Sequence, residues 1–106
     1  MAVPKKKIVK MSMQKKEGKP LIVAFGARAF FVNNGPILPS LKELAAALRT
    51  MADAQYRHHA AGQRNDFAKW VEEVLLDSAC AKDLRGAKDR IGALKAAEKH
   101  LGKYRQ

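Results

Sequence analysis

The sequence changes character near residue 20, and this change limits what the chain can fold into. Residues 1–20 contain seven lysines against one acid, Glu17, and their few apolar residues follow neither a helical nor a strand period. Ordering such a segment costs roughly 1–2 kcal/mol per residue, with little apolar burial to offset that cost. We therefore predict a flexible basic tail over residues 1–19 and one folded domain over residues 20–106.

The charge distribution points to an anionic partner. The whole chain has a formal charge of +11. Residues 21–106 hold fourteen basic residues against nine acidic ones, so more than half of the excess lies in the first twenty residues. Such asymmetry is typical of a chain that contacts DNA, RNA or an acidic membrane surface. A tail that only keeps the protein soluble is the alternative interpretation.

Apolar spacing predicts the secondary structure beyond the tail. The runs 21–25 and 29–32 have the composition of buried strands, and Asn33-Asn34-Gly35 supplies a tight turn before a short edge strand. Later residues follow a helical period, most clearly at Phe67, Trp70 and Val71. We expect an α+β fold, mostly α, in which a short N-terminal β-hairpin or three-stranded meander precedes four to five helices packed as a small bundle. The predicted strands cover about 21–25, 29–32 and 36–38, and the predicted helices about 41–51, 53–59, 66–76, 78–85 and 88–103.

Several residues are predicted to begin these helices. Ser40 and Glu43 have the spacing of a capping box, in which each side chain bonds a free backbone amide of the first turn. Asp53, Asn65 or Asp66, and Asp77 can cap the following helices. In the last helix we expect an inward stripe of Ile91, Leu94, Ala97, Leu101 and Tyr104.

Residues suited to catalysis or metal binding are sparse. Cys80 is the single cysteine, so no internal disulfide forms, which fits a reducing, cytoplasmic compartment, including association with nucleoid or ribosome. His58 and His59 are adjacent and point about 100° apart on a helix, so they do not share a metal easily. Cys80 with His59 or His100 would make a nucleophilic pair, but a buried, inert thiol is the commoner case. We expect no enzyme activity, no cofactor and no metal.

The lysines are the candidate nucleic-acid ligands. Those of the tail would bind phosphates with little sequence preference. On the last helix, lysines from Lys88 onward fall within about 80° of one another on a helical wheel, which also fits an ordinary solvated face. The candidate residues are Lys5, Lys6, Lys7, Lys10, Lys15, Lys16, Lys19, Lys95, Lys99 and Lys103.

Two other functions stay open. The helical domain could bind a protein partner through an exposed apolar patch, with the tail serving solubility or steering. A membrane-surface role has less support, because the tail lacks aromatic anchors and lipidation signals. Integral membrane association is not expected, since the longest apolar stretch, residues 21–32, is short and contains Arg28.

One group of residues resembles a small uncharacterised domain family of archaea and bacteria. The pattern comprises Ser40-Leu41-Lys42-Glu43-Leu44, His59 and the run from Asn65 to Val71, and the resemblance covers about residues 29–102. It implies the same fold and adds no activity, and the lysine tail is not part of the family pattern. Within the pattern, we expect His59 to hydrogen-bond across the connector to Asn65 or Asp66. That bond would set the angle at which Phe67 and Trp70 enter the core.

Overall fold

The computed structural model describes residues 19–105 and confirms a mostly helical α+β fold. Five helices are joined by short loops, and six two-residue strands form three separate pairs within this range. The helices are α1 (Leu41–Thr50), α2 (Asp53–His59), α3 (Asp66–Glu73), α4 (Ser78–Gly86) and α5 (Arg90–Leu101). The strands are β1 (Lys19–Pro20), β2 (Phe30–Phe31), β3 (Ile37–Leu38), β4 (Ala60–Ala61), β5 (Arg64–Asn65) and β6 (Tyr104–Arg105).

The N-terminal sheet is a two-stranded hairpin. Strands β2 and β3 are antiparallel, with Phe30 opposite Leu38 and Phe31 opposite Ile37. The predicted strand over residues 21–25 was wrong, and so was the meander that would have included it, because this segment is a loop. Leu21, Ile22 and Ala24 of the loop pack on the core. The loop is held by a bond from the Ala24 amide to the Pro39 carbonyl, 2.6 Å long. An apolar run alone does not distinguish such a loop from a strand.

Lys19, the last residue of the predicted tail, is part of the folded structure. Lys19 lies in β1, which pairs in parallel with β6 and places Lys19 beside Tyr104. The Lys19 amide donates to the Lys103 carbonyl at 3.0 Å, and the Lys19 ammonium lies 5.1 Å from the centre of the Tyr104 ring. Residues 1–18 lie outside the described residues, so the prediction of a tail there stays a prediction.

The core is built around Phe67, which is fully buried. Its ring stacks on Phe30 at 4.8 Å and on Tyr56 at 5.7 Å between centroids. Trp70 is one helical turn away, and its indole N–H donates to the Arg28 carbonyl at 2.8 Å, which ties the N-terminal loop to α3. Helix α1 packs on α5, and α4 packs on both α3 and α5. The aromatic side chains of α3 therefore join the hairpin to the helices.

The helix ends differ in part from those predicted. Asn65 and Asp77 accept bonds from Ala68 N and Cys80 N, both at 3.0 Å, and so cap α3 and α4. The Ser40–Glu43 capping box was wrong, because the Ser40 hydroxyl donates to the Glu43 carboxylate and caps no amide. Asp53 lies inside α2, where its carboxylate accepts a 2.8 Å bond from Arg90.

Helix α5 buries most of the predicted stripe but is rotated slightly from it. Ala97 is buried, and Leu94, Leu101 and Tyr104 pack partly against the core. Asp89 caps it by accepting from Gly92 N at 2.8 Å, so the helix begins at Arg90, two residues later than predicted. Its buried residues are Ala93, Ala97 and His100, whereas Ile91 is 45% exposed. Small alanines allow α5 to approach α1 closely, and a hydrogen-bonded histidine extends the buried stripe. This choice of residues brings His100 to the interior.

Candidate nucleic-acid interface and a buried polar cluster

A basic groove lies between α4 and α5. It has a volume of about 530 Å³ and is open to solvent along its length. Its lysines are Lys82, Lys95 and Lys99, whereas small residues, among them Gly86 and Gly92, line the rest of it together with Asp83. We call these three lysines and the space between them the lysine groove. Small side chains between longer basic ones leave room for an anionic chain to approach the backbone.

The charges of the lysine groove are only partly neutralised. Lys99 Nζ lies 3.6 Å from the Asp83 carboxylate. Lys82 and Lys95 make no ion pair with any residue from 19 to 105. Exposed ammonium groups without a carboxylate partner are free to bind phosphate at little cost.

The other lysines named from the sequence lie elsewhere. Lys88 precedes α5 and lines a separate cleft of about 500 Å³ with Tyr56, Arg57 and Arg90. Lys103 follows α5, in the turn that leads to β6, next to Lys19. The lysines therefore do not form the single helical face that the sequence indicated, because α5 is shorter at both ends. Lys5, Lys6, Lys7, Lys10, Lys15 and Lys16 lie outside the described residues.

His59 links three elements. Its Nε2 accepts a 2.9 Å bond from the Asn33 amide, and its Nδ1 lies 3.0 Å from Asp66 Oδ2. Because a backbone amide only donates, Nε2 carries no proton here and Nδ1–H is the donor to Asp66. The ring is 7% exposed and packs edge-on against Phe30 and Phe67. Both nitrogens of His59 are thus used by the protein itself.

A second histidine, His100, belongs to a buried polar cluster beneath the lysine groove. His100 Nε2 donates to Asp83 Oδ2 at 2.7 Å, and this carboxylate is the one that pairs with Lys99. A ring nitrogen of His100, the Cys80 sulfur and an Asp77 carboxylate oxygen all lie within 4.8 Å of one another. The Tyr104 hydroxyl donates to Asp77 Oδ2. We call Asp77, Cys80 and His100 the buried triad.

Burial and hydrogen bonding set the protonation of this cluster. Burial, reinforced by the charges of Asp77 and Asp83, raises the pKa of the Cys80 thiol to about 12. Although burial acts to raise the pKa of Asp77, bonds from Tyr104 and the Cys80 amide lower it overall. The bond from His100 is the main reason that the pKa of Asp83 is lowered. Cys80 is fully buried and protonated near neutral pH, so the Cys80–His100 pair is not an activated nucleophile in this state.

Sequence reasoning paired Cys80 with His100 only as a nucleophile and did not include Asp77. Asp77 was recognised as a helix cap, and its cap bond to Cys80 is what places the two side chains together. The spacing Asp-x-x-Cys was the available signal. The third member, His100, lies twenty residues after Cys80 in the chain. A short sequence motif does not predict a contact over such a separation.

Comparison with known proteins gives no homologue to guide the assignment. No protein-family model, curated protein or solved structure matches the chain. The family resemblance therefore stays a prediction. None of the helices between residues 19 and 105 is long and apolar enough to cross a membrane.

Proposed function

We propose that this chain is a non-enzymatic, basic accessory protein that binds nucleic acid through the phosphate backbone, with little sequence preference. The observation that carries the proposal is the excess of positive charge, +11 in total, of which more than half lies in residues 1–20. Phosphate contacts supply most of the affinity of non-specific binding, because each one releases condensed counterions.

The lysine groove adds support from the folded part. Lys82 and Lys95 lie there without a carboxylate partner among residues 19–105, and Lys99 is two-thirds exposed although it contacts Asp83. Lys19 and Lys103 lie side by side beyond the C-terminal end of α5, the helix that also carries Lys95 and Lys99. A nucleic acid held in the groove could follow α5 toward the tail. Within this proposal the protein is cytoplasmic and associates with nucleoid or ribosome.

Salt dependence is the decisive measurement. Binding of a labelled mixed-sequence DNA duplex is followed by fluorescence anisotropy from low to moderate salt, with an RNA strand in parallel. If the seven lysines of residues 1–20 alone engage a duplex, log K falls against log salt with a slope of about −6, and contacts from the three lysines of the groove bring the slope to about −9. A scrambled duplex of the same length should bind equally well, because backbone contacts do not read sequence.

Three full-length variants locate the contacts. The tail variant replaces six lysines by Gln and should reduce the slope by about 5. The groove variant, with Lys82, Lys95 and Lys99 changed to Gln, should reduce it by about 2 to 3. A control variant, with Arg28, Lys42 and Lys69 changed to Gln, removes the same charge as the groove variant from other exposed positions. Equal losses in the groove and control variants would remove the groove from the proposal, and an unchanged slope in the tail variant would refute it. The six tail positions are Lys5, Lys6, Lys7, Lys10, Lys15 and Lys16.

A protein-interaction role is the second candidate, and exposed apolar residues favour it. Phe31 and Ile37 are opposite each other in the hairpin, and they are 55% and 58% exposed. Phe25 is 78% exposed on the preceding loop. Capture of partners from nuclease-treated lysate, compared with a Phe31→Thr, Ile37→Thr variant, tests it. Partners that survive nuclease and are lost with the variant would favour this function over nucleic-acid binding.

A further inference from the structure

We propose that the buried triad of Asp77, Cys80 and His100 is a structural binding site for Zn²⁺. This inference is independent of nucleic-acid binding. It concerns residues below the groove, at the junction of α4 with the C-terminal end of α5.

The donor atoms are the kind that zinc prefers. Zinc in proteins is bound by cysteine sulfur, histidine nitrogen and carboxylate oxygen, mostly in tetrahedral sites. The triad offers one of each, within 4.8 Å of one another. Ligand atoms around tetrahedral zinc lie about 3.5 Å apart, so the three side chains need to close by roughly 1 Å. Such a movement lies within the reach of rotamer adjustments.

His100 has the second contact that a zinc ligand normally has. Histidines that bind metal usually donate their other ring N–H to a carboxylate, which fixes the ring and makes the coordinating nitrogen more basic. His100 Nε2 donates to Asp83 in this way. The other nitrogen, Nδ1, makes no hydrogen bond within residues 19–105 and is left for a metal. His100 is only 3% exposed, so water does not readily satisfy that nitrogen.

The charges of the triad match a divalent cation. A Cys80 thiolate and the Asp77 carboxylate together carry two negative charges, and a neutral His100 adds none. Bound Zn²⁺ would make the site neutral, which matters because these residues are 0–5% exposed and an isolated buried charge is costly. Tyr104 orients the carboxylate by donating to Asp77, as a second-layer residue does in known sites.

The site would hold the C-terminal part of the domain together. Asp77 and Cys80 flank the start of α4, whereas His100 is near the end of α5. A metal shared between them would link two helices whose ends are otherwise joined by hydrogen bonds. The three side chains would supply three of the four ligands of a tetrahedral zinc, and a buried water would supply the fourth. Because all three residues are buried, that fourth position is closed to substrates, which suits a structural role.

The test uses Co²⁺ as a spectroscopic substitute for zinc on the full-length chain. One equivalent of Co²⁺ should produce the near-ultraviolet charge-transfer absorption of a thiolate–cobalt bond, and Zn²⁺ should displace it. Cys80→Ser should abolish the band. Asp77→Asn keeps a side-chain oxygen to cap α4 and should weaken cobalt binding about 10–100-fold. In a thermal melt, Zn²⁺ should raise the Tm of the natural chain and leave that of Cys80→Ser unchanged.

His58→Ala is the matched control, because His58 is an exposed histidine outside the triad. It should keep both the band and the zinc-dependent rise in Tm. Far-ultraviolet circular dichroism verifies that each variant is folded, and if Cys80→Ser does not fold, Asp77→Asn decides. The proposal is overturned if the natural chain gives no charge-transfer band with one equivalent of Co²⁺. A band of full strength and affinity in Cys80→Ser or Asp77→Asn, or its loss in His58→Ala, would also overturn it.

Discussion

Two buried histidines, His59 and His100, are both paired with an aspartate but have different surroundings. His59 and His100 each contact an aspartate, Asp66 at 3.0 Å and Asp83 at 2.7 Å. In His59 the second nitrogen accepts from the Asn33 amide, and aromatic rings cover the imidazole. In His100 the second nitrogen has no hydrogen-bond partner within residues 19–105, and the ring lies near a thiol and a carboxylate.

This difference separates two roles that a buried histidine paired with an aspartate can have. A histidine whose two nitrogens are both bonded by the protein fixes the relative positions of loops and helices. A buried histidine with one unbonded nitrogen near further donors is a candidate for binding something else. A structural histidine is therefore distinguished from a candidate ligand by hydrogen-bond partners on both ring nitrogens. Burial and a carboxylate contact do not make this distinction, because both histidines have them.

The largest expected effect on stability comes from replacing His59, whose two ring nitrogens are both hydrogen-bonded by the protein. His59→Ala leaves the Asn33 amide without an acceptor and deletes a ring packed on Phe30 and Phe67. We expect the free energy of unfolding to fall by about 3 kcal/mol, measured by urea denaturation. The neighbouring His58→Ala should change it by less than about 0.5 kcal/mol, since His58 is exposed. If the two variants were equally stable, His59 would not have the structural role described above.

Replacing His100, which has a ring nitrogen without a hydrogen-bond partner among residues 19–105, should lower the free energy of unfolding by less than replacing His59 when metal is excluded. His100→Ala loses one bond to a carboxylate and leaves a small cavity between α4 and α5. We expect a loss of about 2 kcal/mol in the presence of EDTA, measured by the same denaturation. Added zinc should widen the gap between His100→Ala and the natural chain. It should leave the gap between His59→Ala and the natural chain unchanged.

Alkaline pH should act mainly on the cluster of His100. The unfolded Cys80 thiol ionises near its usual pKa of 9.0, whereas the folded thiol holds its proton up to a pKa of about 12. Above pH 9 the unfolded state therefore binds fewer protons, so stability is complete below pH 9 and falls as pH rises toward 12. Between pH 8 and pH 10 we expect a loss of about 1 kcal/mol in EDTA. Cys80→Ala should reduce this dependence to the part contributed by Tyr104 and Tyr56, whose pKa values are also raised by burial in the folded state, and His59→Ala should keep it.

The smallest effect on stability is expected from replacing Lys99, which contacts the Asp83 carboxylate from the solvent side. Lys99 contacts Asp83 at 3.6 Å, but its side chain is 67% exposed. Lys99→Met should change the free energy of unfolding by less than about 0.5 kcal/mol, because solvent and salt screen such pairs. A loss comparable to that of His100→Ala would mean that Asp83 is held from the surface, which would contradict the arrangement described here.

Local patterns in the sequence predicted the fold class and most helix positions. The spacing of Phe67, Trp70 and Val71 carries the period of α3, and Asn65 and Asp77 are caps with short-range geometry. The failures have physical causes too. In the segment 21–25, Leu21, Ile22 and Ala24 are apolar because they pack on the core, and no strand among residues 19–105 pairs with them.

The buried triad was beyond local patterns for a different reason. It depends on how α5 is rotated about its axis. Helix α5 packs on α1 with the small residues Ala93 and Ala97 buried, and this rotation leaves the larger Ile91 exposed. Asp89 was missed as the cap of α5 because the helix was predicted to begin at Lys88, which placed Asp89 inside it. The hairpin of β4 and β5 was not predicted, although Gly62 lies at its turn with φ +60°, a conformation that glycine adopts readily.

The pairing of β1 with β6 nearly closes residues 19–105 into a ring. Because β1 and β6 are parallel, a linker from Arg105 has to turn back along the strand pair to reach Lys19, but each strand has only two residues, so a loop of several residues would join them. New ends could be opened between Gly62 and Gln63, which are both exposed. Such a circular permutant would keep the lysine groove and the buried triad while moving the start of the chain to the opposite end of α5.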